Sequence, residues 1–144
     1  MKTRKLLVIL TVVCLPAVLM AGSLSAPADL TVNFIGDDIV LAWSDVTGAT
    51  KYSVDFDVLV TYVDPTYGVL TEYVELSYST FAPELTISFD DFIYELATEL
   101  GIDPSAILGF TASARVKALN PGKGNGPQNN PFSEPVTFSV AFVL

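Results

Sequence analysis

Apolar residues recur at every second position through most of the chain, and turn-forming residues break the alternation at intervals. Leu30, Val32 and Phe34 form one run, Gly36-Asp37-Asp38 interrupts it, and Ile39, Leu41 and Trp43 resume it. Successive side chains of a strand point to opposite faces, so this stretch reads as two short strands joined by a tight turn. Beyond the break Asp45-Val46-Thr47-Gly48-Ala49, the set Tyr52, Val54, Phe56, Val58 and Val60 marks one face of a long third strand. Its other face carries Ser53, Asp55, Asp57 and Thr61 and is expected to be wet. Asp64-Pro65-Thr66-Tyr67-Gly68 has turn chemistry, with proline fixing φ early and glycine permitting positive φ late. A fourth long strand should return from Val69 to about Tyr78, so that the two form an extended hairpin.

After Ala82-Pro83-Glu84, Leu85, Ile87 and Phe89 open another strand, and then the period changes. Phe92, Ile93, Leu96, Ala97 and Leu100 fall at helical spacing, with Asp91, Glu95, Thr98 and Glu99 opposite them. Ser88 is placed as the N-cap with Asp91 at the third helical position, Asp90 being the alternative cap, and Gly101 is placed to end the helix. Asp103-Pro104 predicts one further turn through Leu108, stopped by Gly109. The helical insert is thus expected over about 89–109. Strand alternation returns with Ala112, Ala114, Val116 and Ala118, opposed by Thr111, Ser113, Arg115 and Lys117. The last run carries Val136, Phe138, Val140 and Phe142. About seven short strands separated by turns predict an all-β fold, an antiparallel sandwich with one helical insertion. The expected core includes Trp43, Tyr52, Leu85, Val116, Ala118 and Phe138.

The order and spacing of several segments resemble a fibronectin type III domain from about Pro27 to Val140. They are Leu30, Trp43, the Gly-Ala-Thr-Lys-Tyr-Ser-Val run from Gly48 to Val54, the strand from Arg115 to Asn120 that ends Ala-Leu-Asn, and Ser133-Glu134-Pro135-Val136. The resemblance implies an immunoglobulin-like sandwich. Two departures accompany it. Ala112 stands where the family usually places a tyrosine, with Phe110 as a packing substitute, and the helical insert replaces a short connection between the fifth and sixth strands. No Arg-Gly-Asp triplet is present, so integrin-type adhesion does not carry over. A shared fold does not fix function.

The opening residues change the expected compartment. Lys2, Arg4 and Lys5 precede an apolar run from Leu6 to Met20, and small residues follow from Ala21 to Ala26. This is the layout of a secretory signal peptide over 1–25, cut between about Ser23 and Ala26, with the folded domain over 26–144. The run is shorter than the roughly 20 residues a spanning helix needs, so no membrane insertion is expected after cleavage. Cys14, the single cysteine, lies inside it, which leaves the exported part without a disulfide or thiol. The whole chain carries a net charge of −9; all sixteen acidic residues lie beyond the leader and three of the seven basic ones lie within it, so export takes the charge to −12. Such a surface repels phosphate backbones, and nucleic acid is not expected as a partner.

The chain contains no histidine, which together with the missing thiol excludes Ser-His and Cys-His chemistry and histidine-based metal sites. Asp55 and Asp57 are about 7 Å apart by the strand repeat, but a wet sheet face supplies neither cleft nor raised pKa for acid catalysis. No enzyme and no cofactor are expected. Calcium is the better use for carboxylates in an exported protein, with Asp37, Asp38, Asp55 and Asp57 as candidate ligands. The helix has two readings, a cap over one end of the sandwich or a ridge for a partner. Tyr62, Tyr67, Tyr73 and Tyr78 crowd the long hairpin, and with the loop containing Asn125 and Asn129 they are the expected partner-binding residues. The partner would be a protein or glycan. The competing reading is a self-assembling subunit, a homo-oligomer paired through the edges of the long strands unless Asp57, Glu72 and Glu75 prevent it.

Overall fold

A computed structural model describes residues 24–122 and 129–143. The strands are β1 (Thr31–Ile35), β2 (Asp38–Ala42), β3 (Lys51–Asp64), β4 (Gly68–Thr80), β5 (Glu84–Ser88), β6 (Ile107–Leu119) and β7 (Val136–Ala141). One helix, α1 (Phe89–Leu100), follows β5, and a 3-10 turn spans Pro104–Ala106. Strands β1-β2-β5 make one sheet and β4-β3-β6-β7 the other, and every pairing is antiparallel. This is an antiparallel β-sandwich of the immunoglobulin-like, fibronectin type III kind.

The strict alternation of β3 explains its central place. Tyr52, Val54, Phe56, Val58, Val60 and Tyr62 are all buried, a complete inner face for a strand paired on both sides. β6 answers with Ala112, Ala114, Val116 and Ala118, also buried. Its small residues leave room between the layers for larger rings. Phe138 of β7 packs edge-on against Phe34 of β1 at 5.7 Å, which ties the two sheets along one side. Phe56 sits at the centre, with Phe92 at 5.3 Å, Tyr78 at 5.6 Å and Phe138 at 6.5 Å, each in the tilted or edge-to-face geometry that ring quadrupoles favour. At the other end Trp43 meets Tyr52 at 5.3 Å, and Tyr52 donates to Asp45 Oδ1 at 2.6 Å while accepting from the Val46 amide at 3.0 Å. Trp43 Nε1 is buried with no hydrogen-bond partner among the described residues. Leu85 is half-buried against the same core.

Helix α1 caps one end of the sandwich. Phe92, Leu96 and Ala97 are buried, and the Phe92 ring lies 5.4 Å from Phe110 of β6 as well as against Phe56 of β3. Ser88 Oγ accepts from the Asp91 amide at 3.1 Å, and Gly101 takes φ 68°, a left-handed conformation that costs glycine nothing. Phe110 fills the region beneath the tyrosine-free Ala112 position, ringed by Phe89, Phe92 and Phe138. The insert ends earlier than its sequence suggests, because strand pairing already begins at Ile107. Gly109 is a strand residue and not a helix stop: a Cβ there would stand 2.6 Å from the Val140 carbonyl oxygen, so the requirement is close approach of two backbones.

Leu24 and Ser25 lie on the leader side of the domain boundary expected from sequence. Leu24 nevertheless packs against the core, and its amide donates to Asn130 Oδ1 at 3.2 Å. Asn130 is buried and donates in turn to the Ala118 carbonyl at 2.8 Å. Among the described residues no helix is long and apolar enough to cross a membrane.

Candidate interaction surface

The β3–β4 hairpin is the longest feature of the fold, with strands of 14 and 13 residues. Its turn is built by Asp64, whose Oδ1 accepts from the amides of Thr66 at 2.7 Å and Tyr67 at 2.8 Å. Pairing runs without a shift from Tyr52↔Thr80 to Asp64↔Gly68, so the faces of the two strands stay aligned to the tip. Opposite residues of an antiparallel pair share a face.

On the outer face the aligned pairs are Asp55↔Ser77, Asp57↔Glu75, Leu59↔Tyr73, Thr61↔Thr71 and Val63↔Val69. The face therefore divides in two. Near the middle of the sandwich it is charged: Asp55, Asp57 and Glu75 face Arg115 of β6 across the sheet. Asp55 Oδ1 accepts from Ser77 Oγ at 2.8 Å and more weakly from Ser53 Oγ at 3.4 Å. Toward the tip it is apolar and hydroxyl-bearing, with Leu59 46% exposed, Val63 42%, Val69 62%, Tyr73 62% and the turn residue Tyr67 77%. Thr61 and Thr71 share a hydrogen bond at 3.1 Å, as do Thr111 and Ser139 at 2.8 Å. A shallow depression beside Leu59 is lined by Thr61, Gly109, Thr111 and Ser139. A flat apolar area with a rigid aromatic and satisfied hydroxyls is suited to docking, because little side-chain freedom is lost on contact.

The four tyrosines expected from sequence separate. Tyr67 and Tyr73 stand on the surface. Tyr62 points inward, and its hydroxyl donates to Glu72 Oε1 at 2.8 Å, a bond that together with burial pushes the phenol above its ordinary pKa. Tyr78 is half-buried on the inner face of β4 and donates to Glu95 Oε2 of α1; burial first and this bond second push its phenol far up. Tyr52 is likewise raised, by burial and by Asp45. Strand parity could have placed Tyr62 and Tyr78 inside, since both carry even numbers in register with the buried set of β3. The same parity flags Leu59 and Val63 as apolar residues on the face expected to be wet, a signal that sequence reasoning passed over.

The remaining candidates are scattered. Asp37 lies in the turn between β1 and β2, where its carbonyl accepts from the Phe89 amide at 2.7 Å, and Asp38 begins β2 opposite Ser88. Asp55 and Asp57 stay on β3, away from both. Among the described residues no three acidic, histidine or cysteine side chains are grouped to hold a metal ion. Asn129 is exposed, whereas Asn125 lies outside the described residues. Arg115 and Lys117 stack over Phe132, at 4.2 and 4.9 Å from the ring centre.

No protein-family model matches the sequence, and no curated protein matches it. Among solved structures the chain is similar to the fn3 domain of human collagen alpha-1(XX) chain, at 20% identity over 84% of this chain and 86% of that one, with a TM-score of 0.42. It is also similar to the third fibronectin III domain of human KIAA0343 protein, at 17% identity over 81% and 82% of the two chains, with a TM-score of 0.37.

Proposed function

We propose that this chain is an exported, non-catalytic interaction module that binds a protein or glycan through the outer face of the distal β3–β4 hairpin. The observation that carries the reading is the array of Leu59, Val63, Val69 and Tyr73, exposed together in register on a 13- to 14-residue hairpin whose inner face already supplies the core. These residues stabilise the sandwich little where they stand, and their apolar area gains most when a partner covers it. The histidine-free composition fits recognition better than chemistry.

Export rests on the leader. The packing of Leu24 and its bond to Asn130 favour a cut on the amino-terminal side of Leu24, after Ser23, over one that would remove it. Mass spectrometry of the exported protein should find Leu24 as the first residue; a start at Ala26 would count against this boundary. The test of recognition compares the wild type with a Leu59→Ser, Tyr73→Ser double variant on a glycan array and against proteins that co-purify from the native source. Loss of binding with an unchanged melting temperature supports the surface, and full retention removes it.

Self-assembly is the second reading, since β4 stands at the margin of its sheet, with Glu72 and Glu75 as the charges that oppose pairing of two such edges. Light scattering over a range of concentrations separates the two, since a monomer at all concentrations leaves recognition alone. Calcium binding would appear as a higher melting temperature on adding the ion.

A further inference from the structure

The edge of β4 has a second property beside the exposed side chains on its face. Among the described residues β4 pairs with β3 alone, along its whole length from Gly68 to Thr80, and stands at the margin of its sheet. Every second residue of such a strand turns its amide and carbonyl outward, and a long regular edge is a template for one more strand. Beside this edge runs a groove between β4 and the last turn of α1, lined by Glu72, Tyr73, Val74, Glu75, Glu99 and Leu100.

The charge of that groove is one-sided. Three of its six lining residues are carboxylates, and the last turn of α1 contains no basic residue. The carbonyl end of a helix favours a cation, so Glu99 and the helix end act in the same direction. The basic residues among those described, Lys51, Arg115 and Lys117, sit on β3 and β6, the latter two engaged over Phe132. Among the described residues no basic side chain lines this groove, and Arg115 meets only Glu75, from the neighbouring depression on the sheet face. A second copy of the chain would bring Glu72 and Glu75 toward another acidic edge, which disfavours self-pairing.

We infer that the open edge of β4, where it passes the end of α1, receives an extended basic segment of a partner protein as an added strand. This deepens the hairpin reading and rests on it, committing the partner to a protein with lysine or arginine at alternate positions. Main-chain bonds to β4 would supply affinity, the carboxylates would select charge, and Tyr73 and Leu100 would cover the apolar side chains between the basic ones.

The test uses the exported chain and a fluorescent peptide of about ten residues alternating lysine with valine or threonine. Two control peptides accompany it, one with glutamate for lysine and one N-methylated at alternate amides on the edge that would pair. We expect the lysine peptide to bind at least about tenfold more tightly than either control. Charge reversal by Glu75→Lys with Glu99→Lys, both at exposed positions, should weaken it about tenfold while leaving the circular dichroism spectrum unchanged. Equal binding of the N-methylated peptide would reduce the effect to charge attraction and overturn strand addition. Absence of lysine-peptide binding, or a dimer that occupies the same edge, overturns it too. A Leu59→Ser variant, which leaves the groove residues in place, keeps the two readings apart. If it loses its native partner while the lysine peptide never binds the wild type, recognition by the hairpin face stands and the added strand falls.

Discussion

The two halves of the β3–β4 hairpin follow one alternating pattern and put it to different uses. In the half nearer the middle of the sandwich, the inner residues Val54, Phe56 and Val58 are buried and the outer ones, Asp55, Asp57 and Glu75, are charged. In the half nearer the tip the inner residues of β3, Val60 and Tyr62, are still buried, but the outer face carries Leu59, Val63, Val69 and Tyr73. An alternation that only had to build a core would leave charge outside along the whole length. The apolar outer half is the part of the hairpin that the domain's own core does not use, and the proposed docking rests on it.

Substitutions sharpen the contrast, and the inner face should respond most. Phe56 touches Phe92, Tyr78 and Phe138, so Phe56→Ala should cost about 3–5 kcal/mol, read as a shift in the denaturant midpoint. The helix that closes this end is next. Removing the cap by Ser88→Ala should cost about 1 kcal/mol by the same measurement. A pH series comes third. The folded state raises the pKa of Tyr52, Tyr62 and Tyr78, so the stability they add is complete below about pH 10, the unfolded value, and is lost as pH rises above it. Thermal melts should fall more steeply above that point for the wild type than for Tyr78→Phe. The smallest effects belong to the outer face: Leu59→Ser and Asp57→Ala should each change stability by less than about 0.5 kcal/mol. A loss of 2 kcal/mol or so at Leu59 would show that the distal half is a structural surface and erase the distinction.

Much of this architecture is legible in the alternation itself. β3 is legible because a central strand must satisfy one face completely, and no competing period fits Tyr52 through Val60. The helix is legible through Ser88 and Gly101, whose roles depend on local backbone geometry. Gly109 misleads because a glycine required for backbone proximity between β6 and β7 looks, in one dimension, like one that ends a helix. Asn130 is hidden for a similar reason: its polar side chain suits a loop, and only the fold brings Leu24 and Ala118 to it. The tyrosines are half legible. Composition locates them on the hairpin, while their division into Tyr62 and Tyr78 inside and Tyr67 and Tyr73 outside follows from register, which composition ignores.

The tie between Leu24 and Asn130 also marks one end of the domain. It lies where Lys51 of β3 meets Leu119 of β6, whereas the hairpin turn lies beyond the opposite limit, where Tyr62 meets Ile107. The Phe142 amide, near the other end of the described chain, bonds to the Leu108 carbonyl at that far limit. Leu24 thus marks the base of the sandwich, and Tyr67 stands beyond its far limit, apart from that base by the length of β3, about 45 Å at the rise of an extended strand.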